Sequence, residues 1–400
     1  MIPLSIARFI ARSLHLDAAP PPLTEDVDWA QLVHHADGHS LTPLLFTTWR
    51  EAGFIDQLPL SIQDHLTKAY HDNARRNQYI RRELLEIHQL LTGAGVPHLV
   101  LKGWPLAERL YADPAQRVLY DHDFLVPPER AEAGWRALNA AGFRPLPGKD
   151  GWIEKHLPPV WRNDGYDWNG YLFDPHYPRP VELHLRLWEQ GWRGLNVTQL
   201  PDPWPAAQTR PVAGTPMRVL SDEDALVHLA MHFAGHLIER EARLSQLLDL
   251  ARFVQQASGL DWGRVLAQAG QANVGRFVYA SLFLAHRLFG APLPPAGVWS
   301  RLARATPPAF RAWLARHGVD DALTADYRRP EKGQDYRLTF LAARSTAERL
   351  GIVRFAALPP AGQLMAKYHL RHRWLSPLFY PRHLIERVGS YGRAVLGGSD

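Results

Sequence analysis

Apolar and polar positions divide the chain into helical stretches on either side of a short segment with strand character. Before residue 97, apolar side chains recur at intervals of three and four, which is typical of amphipathic helices. We predict helices over Trp29–Asp37, Pro43–Gly53 and Ser61–Leu91. The same period returns from residue 219 onward. The pattern therefore predicts an α+β fold in which the strands are confined to the middle of the chain.

The middle of the chain begins with a strand, a tight turn and a short helix. Leu99 to Leu101 form an apolar run that ends at Lys102 and Gly103, which suits a buried strand. Pro105 follows, and proline is tolerated in a first helical turn because its missing N–H would be unpaired there. Val118–Val126 then resumes as a second strand.

Two carboxylates lie in the second of these strands. Asp121 and Asp123 are two positions apart, so both side chains point to the same face of a strand. Adjacent carboxylates repel each other unless a divalent cation or a basic group neutralises them. A solvated turn at the end of a strand is the other interpretation, and this pair alone leaves both open.

A third carboxylate favours the metal interpretation. From Val181 to Trp188, apolar and polar residues alternate strictly, which predicts a half-buried strand with Glu182, His184 and Arg186 on its polar face. If this strand pairs beside the strand that carries Asp121, Glu182 completes a group of three carboxylates. Oxygen ligands in that number suit Mg²⁺, which also binds substrate phosphates.

The remaining segments are assigned by composition and by capping signals. We predict a helix over Glu129–Ala141, and Ser61 with Asp64 and Ser221 with Asp224 resemble capping boxes. Three regions result, namely an N-terminal helical region (1–96), an α/β core (97–218) and a C-terminal helical domain (219–400). A polar loop is expected at 323–334.

An aromatic-rich segment separates the two acidic strands. It runs from Gly151 to Tyr177 and holds three tryptophans and three tyrosines. Because it connects the acidic strands, we expect it to lie near them and to contribute to acceptor specificity. Packing in the core or as a lid is the other interpretation.

Three basic features have more than one interpretation. Histidines at four-residue spacing can form a polar face, face a substrate or bind zinc, although no partner motif accompanies them. Clustered arginines before residue 97 form either a solvated face or a basic wall near phosphate. The C-terminal tail forms either a surface helix, which we favour, or a docking surface for an anionic partner or a membrane. The residues are His228, His232 and His236; Arg75, Arg76, Arg81 and Arg82; and the basic and aromatic residues of Tyr368–Arg393.

Composition excludes several classes of protein. A hydrophobic content of 46% and a charged content of 21% are those of an ordinary globular protein. The chain has no cysteine, which excludes disulfides, thiolate zinc sites and cysteine nucleophiles. No apolar run is long enough to cross a membrane. Residues 1–16 resemble a first helix more than a signal peptide, so we expect a cytoplasmic protein.

Net charge limits the choice of partner. Forty-five basic and 40 acidic residues give a net charge of +5. This excess suits a phosphate-bearing substrate but is too small to indicate binding of nucleic acid.

Taken together, the central residues resemble a known family. A Gly-containing turn after a strand, then Asp-x-Asp, then one acid on a later strand is similar to the nucleotidyltransferase fold of the DNA polymerase beta superfamily. In finer detail the chain resembles the bacterial uncharacterised nucleotidyltransferase family, whose members often occur in gene clusters for peptide natural products, including lasso peptides. The resemblance rests on Leu101-Lys102-Gly103, Leu106-Ala107-Glu108, Tyr111, Asp113-Pro114, Arg117, Asp121-His122-Asp123 and Val181-Glu182-Leu183-His184.

This resemblance implies a small mixed-sheet nucleotidyltransferase core flanked by N-terminal and C-terminal helical regions. It also implies transfer of a nucleotide from a nucleoside triphosphate to a hydroxyl or phosphate of a small molecule, a peptide or a protein. Three carboxylates are then catalytic residues and ligands of Mg²⁺, with Mn²⁺ as the alternative ion: Asp121, Asp123 and Glu182. Asp249, further along the chain, resembles a family position without a known role.

The resemblance assigns the neighbouring residues to the nucleotide. Gly103 leaves room for the triphosphate beside the backbone, and Lys102 and Arg117 are the counter-charges of the phosphates. Arg117 is the better clamp because a guanidinium can bind two oxygens at once. His184 either orients Glu182 or acts as a base.

Two other functional classes remain open beside this enzyme. One is a catalytically weak nucleotide-binding or scaffold protein of a biosynthetic cluster, which the intact set of acids disfavours. The other is phosphate hydrolysis on the same carboxylates, which would gain nothing from the turn at Lys102 and Gly103. The nucleotide base, the acceptor and the oligomeric state are not encoded in any motif.

Overall fold

A computed structural model describes residues 6–22, 27–147, 155–163, 165–316, 334–370 and 372–396. The described residues form an α+β structure in which helices flank one seven-stranded mixed sheet. The fold class predicted from the sequence is therefore confirmed. The predicted loop at 323–334 lies outside the described residues except for its last residue. Trp152 of the aromatic-rich segment also lies outside them.

The N-terminal part of the chain is helical, as predicted. Its longest helix follows Pro59, and therefore the capping box predicted at Ser61 is wrong: Ser61 lies inside the first helical turn and caps nothing. The apolar side chains that recur along this helix are buried, and Gly95, which follows it, has a φ of 66°. The helices are α1 (Ile6–Ser13), α2 (Trp29–Gly38), α3 (Thr42–Glu51) and α4 (Leu60–Gly93).

Arginines of α4 divide between solvent and core. Arg75, Arg81 and Arg82 are exposed, as a solvated face predicts. Arg76 is instead fully buried, with Nε donating to the Leu119 carbonyl at 2.9 Å and Nη1 to the Asp174 carbonyl at 3.1 Å. For Arg76 the solvated-face interpretation is wrong, because its guanidinium fixes the loops beside the sheet.

The sheet contains short strands in the order β3-β4-β5-β2-β1-β7-β6. Strand β2 pairs antiparallel with β1 and parallel with β5, so the two acidic strands are neighbours, which is the condition for the predicted group of three carboxylates. The elements are β1 (Leu99–Val100), α5 (Trp104–Leu110), β2 (His122–Leu125), α6 (Pro128–Ala140), β3 (Arg144–Pro145), β4 (Val160–Trp161), β5 (Val181–His184), β6 (Gln208–Val212) and β7 (Thr215–Val219).

Both acidic strands are shorter than their sequence patterns suggest. Asp121 lies one residue before β2, although the pattern predicts a strand from Val118. Strand β5 ends at His184 because the next two amides, of Leu185 and Arg186, donate to the Lys155 carbonyl instead of continuing the ladder.

From residue 222 onward the described chain is helical. Ser221 caps the first of these helices, since its side chain accepts from the Asp224 amide at 3.3 Å, as its capping signal predicts. The helices are α7 (Asp222–Glu239), α8 (Leu244–Gln256), α9 (Trp262–Gln271), α10 (Gly275–Phe289), α11 (Ala296–Ala305), α12 (Pro308–Arg316), α13 (Gln334–Ala342), α14 (Thr346–Ala357), α15 (Ala361–Tyr368) and α16 (Ser376–Leu396). None of the described helices has the length and apolar character needed to cross a membrane.

One apolar cluster joins the parts of the molecule. It contains side chains from the N-terminal helices, the sheet and the C-terminal helices up to Ile352. A buried ion pair between Arg276 and Glu348, with 2.9 Å between Nη2 and Oε1, ties α14 to α10. The division into three regions stays a prediction. On α16, Leu378 and Ile385 are exposed, which agrees with the predicted surface helix.

Candidate active site

The pairing of β2 with β5 brings two predicted acids together. In the parallel register, Asp123 lies directly opposite Glu182, and Leu125 lies opposite His184. Asp123 is fully buried, whereas the Asp121 side chain at the start of the strand is 35% exposed. The strand pairing therefore places Asp123 and Glu182 side by side, with Asp121 at the edge of the group.

His184 bridges the two paired acids. Its Nε2 lies 2.9 Å from Asp123 Oδ1 and 3.3 Å from Glu182 Oε2. Since ionised carboxylates only accept hydrogen bonds, Nε2 carries the proton and donates. His156 follows at 3.7 Å from Glu182. Of the two roles predicted for His184, orienting Glu182 or acting as a base, the geometry favours the first. The nitrogen that carries the proton already donates to the carboxylates.

Lys102 lies on the other side of the acids. Its Nζ is 2.7 Å from Asp123 Oδ2 and 3.5 Å from Asp121 Oδ2. The turn after β1 thus directs the ammonium group between both aspartates. We call Lys102, Asp121, Asp123, Glu182 and His184 the carboxylate cluster.

Charges within the carboxylate cluster shift the pKa values of its members. Burial, followed by the charge of Asp123, raises the pKa of Asp121. Burial has the same tendency at Asp123 and Glu182, but Lys102 and His184 hold the pKa of Asp123 well below its usual range, and the His184 hydrogen bond lowers that of Glu182 to about 2. Although burial disfavours a charged imidazole, these acids raise the pKa of His184. Lys102 and His184 therefore compensate the charges of Asp123 and Glu182 within the cluster.

Gly103 forms the turn that carries Lys102. Its φ of 76° and ψ of −120° belong to a backbone region that is open to glycine and strained for other residues. Helix α5 begins at the next residue, so its first amides point toward this turn. The predicted tight turn at Gly103 is present, and its contact with nucleotide stays a prediction.

Arg117 is placed differently from the predicted phosphate clamp. Its guanidinium makes hydrogen bonds of 2.8 to 3.1 Å to Asp249 and donates from Nη1 to the Gly103 carbonyl at 3.2 Å. Tyr111 also donates to Asp249, at 2.6 Å. Arg117 therefore supports the glycine turn from behind, and a direct contact with phosphate stays a prediction.

Asp249 and Tyr111 are residues whose role the sequence did not reveal. Asp249 is almost fully buried and partners a residue 132 positions away, so no local spacing points to the pair. The one available signal was an acid within an apolar helical run, which needs a buried partner when the helix is packed.

Helix α7 carries the predicted histidines at 228, 232 and 236, which we call the histidine face. The ring centroids of His228 and His232 are 6.3 Å apart, and those of His232 and His236 are 4.7 Å apart. His228 is only 3% exposed, so at this position the plain polar-face interpretation is wrong: α8, α9, α10 and α13 surround α7 and leave little of it to solvent. Neither ring nitrogen of His228 has a hydrogen-bond partner in the described part of the chain.

Two groups of side chains have a donor set that fits a metal ion. Ligand atoms of Asp123, Glu182 and His184 lie within 4.8 Å of one another, and so do those of His236, Glu239 and Glu241. Two carboxylates and an imidazole suit a divalent cation. Among the described residues, no such group contains two histidines of the histidine face, so the zinc interpretation gains no support there.

Comparison with known proteins identifies a family for the chain. Searches of curated proteins and of solved structures each found no match. A family model described as an uncharacterised nucleotidyltransferase matches residues 25–290, well over half of the chain and including every member of the carboxylate cluster. The chain belongs to this uncharacterised nucleotidyltransferase family.

Proposed function

We propose that the protein transfers a nucleoside monophosphate from a nucleoside triphosphate to a hydroxyl or phosphate of a small molecule, a peptide or a protein. The observation that carries this proposal is the side-by-side placement of Asp123 and Glu182, bridged by His184 and faced by Lys102. Family membership supports the general kind of reaction.

In the proposed reaction, an oxygen of the acceptor attacks the α-phosphorus, and the bond from that phosphorus to the β-phosphate oxygen breaks. Pyrophosphate leaves with the bonding electron pair, and a hydroxyl acceptor gives its proton to a carboxylate of the cluster. Such a reaction needs alignment and positive charge more than covalent chemistry from the protein.

Asp121, Asp123 and Glu182 would hold the divalent cation, Mg²⁺ or Mn²⁺, which supplies Lewis acidity and charge neutralisation when bound. His184 fixes the orientation of Asp123 and Glu182 through its Nε2 proton. The Gly103 turn, held by Arg117, keeps the backbone open beside Lys102 for the triphosphate.

Isotopic labelling tests the reaction directly. We expect label from an [α-³²P] triphosphate to be transferred to acceptors in a cell extract, while label from a [γ-³²P] triphosphate is released as pyrophosphate. Asp121→Ala/Asp123→Ala should abolish transfer, whereas Asp64→Ala, an exposed acid on α4, should leave it intact. Transfer of the γ label instead would identify a phosphotransferase and overturn the proposal.

A second candidate is a nucleotide-binding protein without turnover. The observation in its favour is that the Lys102 ammonium already neutralises both aspartates, within 3.5 Å of each. Calorimetry with Mg-ATP and Mg-GTP distinguishes the two. This candidate would be supported over the enzyme if nucleotide binding requires Asp121 and Asp123 but no pyrophosphate is released with any acceptor tested.

A further inference from the structure

Several buried polar groups beside the carboxylate cluster have no partner. His228 is 3% exposed and Trp188 is 7% exposed, yet neither ring nitrogen of the histidine nor the indole N–H makes a hydrogen bond in the described residues. His184 Nδ1 is unpartnered as well. Leaving a buried polar group unsatisfied costs about 1–3 kcal/mol, so such a concentration indicates that something else satisfies these groups.

Trp188, Lys155 and His228 are connected through contacts with helix α7 and with one another. The Trp188 ring packs against Gly235 of α7 so closely that a Cβ there would lie 2.5 Å from the indole. Lys155 places its ammonium 5.3 Å from the centroid of the same ring. His228 lies on the same helix seven residues, or about two turns, before Gly235, and therefore on the face of α7 against which Trp188 packs.

The chemistry of the groups selects the ligand. An indole N–H and an ammonium group can only donate hydrogen bonds, and a neutral imidazole always has one N–H to donate. Lys155 has no carboxylate in ion-pair distance among the described residues, so its charge is not neutralised there by the protein. A metal ion needs lone pairs, which Trp188 and Lys155 cannot supply. An anion that accepts several hydrogen bonds fits.

We propose that Lys155, Trp188 and His228 form a binding site for phosphoryl oxygens, the oxyanion site, next to the carboxylate cluster. The phosphate comes either from the triphosphate or from a phosphorylated acceptor. The site itself follows from the unpartnered donors. Only the assignment of its phosphate to the triphosphate or to the acceptor rests on the proposed function.

Calorimetric titration of the full chain with inorganic pyrophosphate, without divalent cation, tests the site. We expect Lys155→Met and His228→Leu each to weaken binding about tenfold or more, and Trp188→Phe to weaken it less, since one neutral hydrogen bond is lost. The exposed Lys68→Met is the control and should bind as the wild type does. Wild type that does not bind pyrophosphate, or variants that all bind equally, would overturn the site.

Two further measurements keep the test independent of folding and of the proposed function. Nitrogen-15 spectra of labelled histidine in the wild type should show ring shifts of His228 on addition of pyrophosphate, and unchanged rings would contradict the site. Glu182→Gln should abolish metal-dependent binding of Mg-ATP but retain metal-free binding of pyrophosphate.

Failure of either proposal therefore has its own signature. If wild type binds pyrophosphate through Lys155 and His228 but never binds Mg-ATP, the oxyanion site stands and nucleotidyl transfer fails. If Mg-ATP binds through the carboxylates while the oxyanion-site variants behave as wild type, the oxyanion site fails and nucleotidyl transfer stands. Displacement of pyrophosphate by a non-hydrolysable Mg-ATP analogue assigns the site to the triphosphate, and simultaneous binding assigns it to the acceptor.

Discussion

Strands β2 and β5 carry acids whose charges are compensated by Lys102 and His184, whereas the histidine face of α7 carries a buried histidine, His228, that makes no hydrogen bond among the described residues. On the strands, Asp123 has Lys102 at 2.7 Å and His184 at 2.9 Å, so its charge is compensated within the protein. On α7, His228 is just as buried but has no hydrogen bond among the described residues.

The carboxylate cluster is therefore compatible with a stable fold, whereas the buried His228 lowers the stability of the fold. A compensated carboxylate cluster can form without ligand, because each buried charge has an opposite charge beside it. Unpartnered donors lose their hydration on folding and regain nothing until an acceptor arrives. We therefore expect substitutions on the strands to lower stability and substitutions on α7 to change ligand binding more than stability.

The largest effect is expected for Asp123→Asn. Removal of this fully buried charge leaves Lys102 and His184 without their shared partner, which should lower the free energy of unfolding by about 3–5 kcal/mol. Transfer activity should fall at least about a thousandfold. Urea unfolding and label transfer measure the two effects.

Asp121→Asn is the matched control for Asp123→Asn. Its side chain is 35% exposed, so activity should fall while stability changes by less than about 1 kcal/mol. Equal stability of wild type and Asp123→Asn would show that the carboxylate cluster is not held together by this charge.

Next in size is Asp249→Asn, which acts behind the strands. Arg117 and Tyr111 would lose their buried acceptor, and we expect a loss of about 3 kcal/mol in unfolding free energy. Activity should fall as well, because Arg117 would no longer hold the Gly103 carbonyl. Asp222→Asn, which removes a more exposed acid paired with Arg109, should cost only about 1 kcal/mol. Similar losses in both variants would contradict a special role of Asp249.

How far the sequence predicts these two regions depends on how local the responsible pattern is. Alternation between residues 181 and 188 predicted β5 and its acid, because one face of the strand is buried. It predicted neither the end of β5 at His184 nor its pairing with β2. The cap at Ser221 was also predicted from a local pattern, since Ser221 and Asp224 lie within one helical turn. The cap predicted at Ser61 is wrong because the helix begins at Leu60, directly after Pro59, so Ser61 lies two positions past the observed N-cap.

Contacts between distant segments escaped prediction. The four-residue spacing of the histidines on α7 implies a solvated face only if one side of the helix packs, whereas four other helices surround it and bury His228. Arg76 was predicted on a solvated face or a basic wall and Arg117 as a phosphate clamp, yet the guanidinium of each is held by a protein group more than 40 positions away. Residue type and periodicity state how much of a helix is apolar, not how many neighbours it has.

A smaller effect is expected for Gly103→Ala. A Cβ there would meet the Asp121 carbonyl oxygen only at 3.8 Å, so the cost comes from the backbone conformation and amounts to about 1–3 kcal/mol. Gly270→Ala, in open space inside α9, should be neutral or stabilise by about 0.5–1 kcal/mol. Thermal unfolding of both variants checks the prediction. A Gly103→Ala protein as stable as wild type would mean that the turn relaxes freely.

The smallest effect concerns pH and returns to the histidine face. Burial lowers the pKa of His228 in the folded protein to about 3, while an unfolded histidine titrates near 6.5. As the pH falls below 6.5, His228 becomes protonated in the unfolded chain but stays neutral in the folded protein. Its contribution therefore lowers the free energy of unfolding by about 1.4 kcal/mol per pH unit. Urea unfolding at pH 6.5 and 5.5 should therefore show a smaller loss for His228→Leu than for wild type. Trp188→Phe removes a neighbouring donor but no titrating group, and should keep the wild-type slope. Identical slopes for all three proteins would mean that His228 is solvated or partnered when folded, and the contrast between the two sides of the site would disappear.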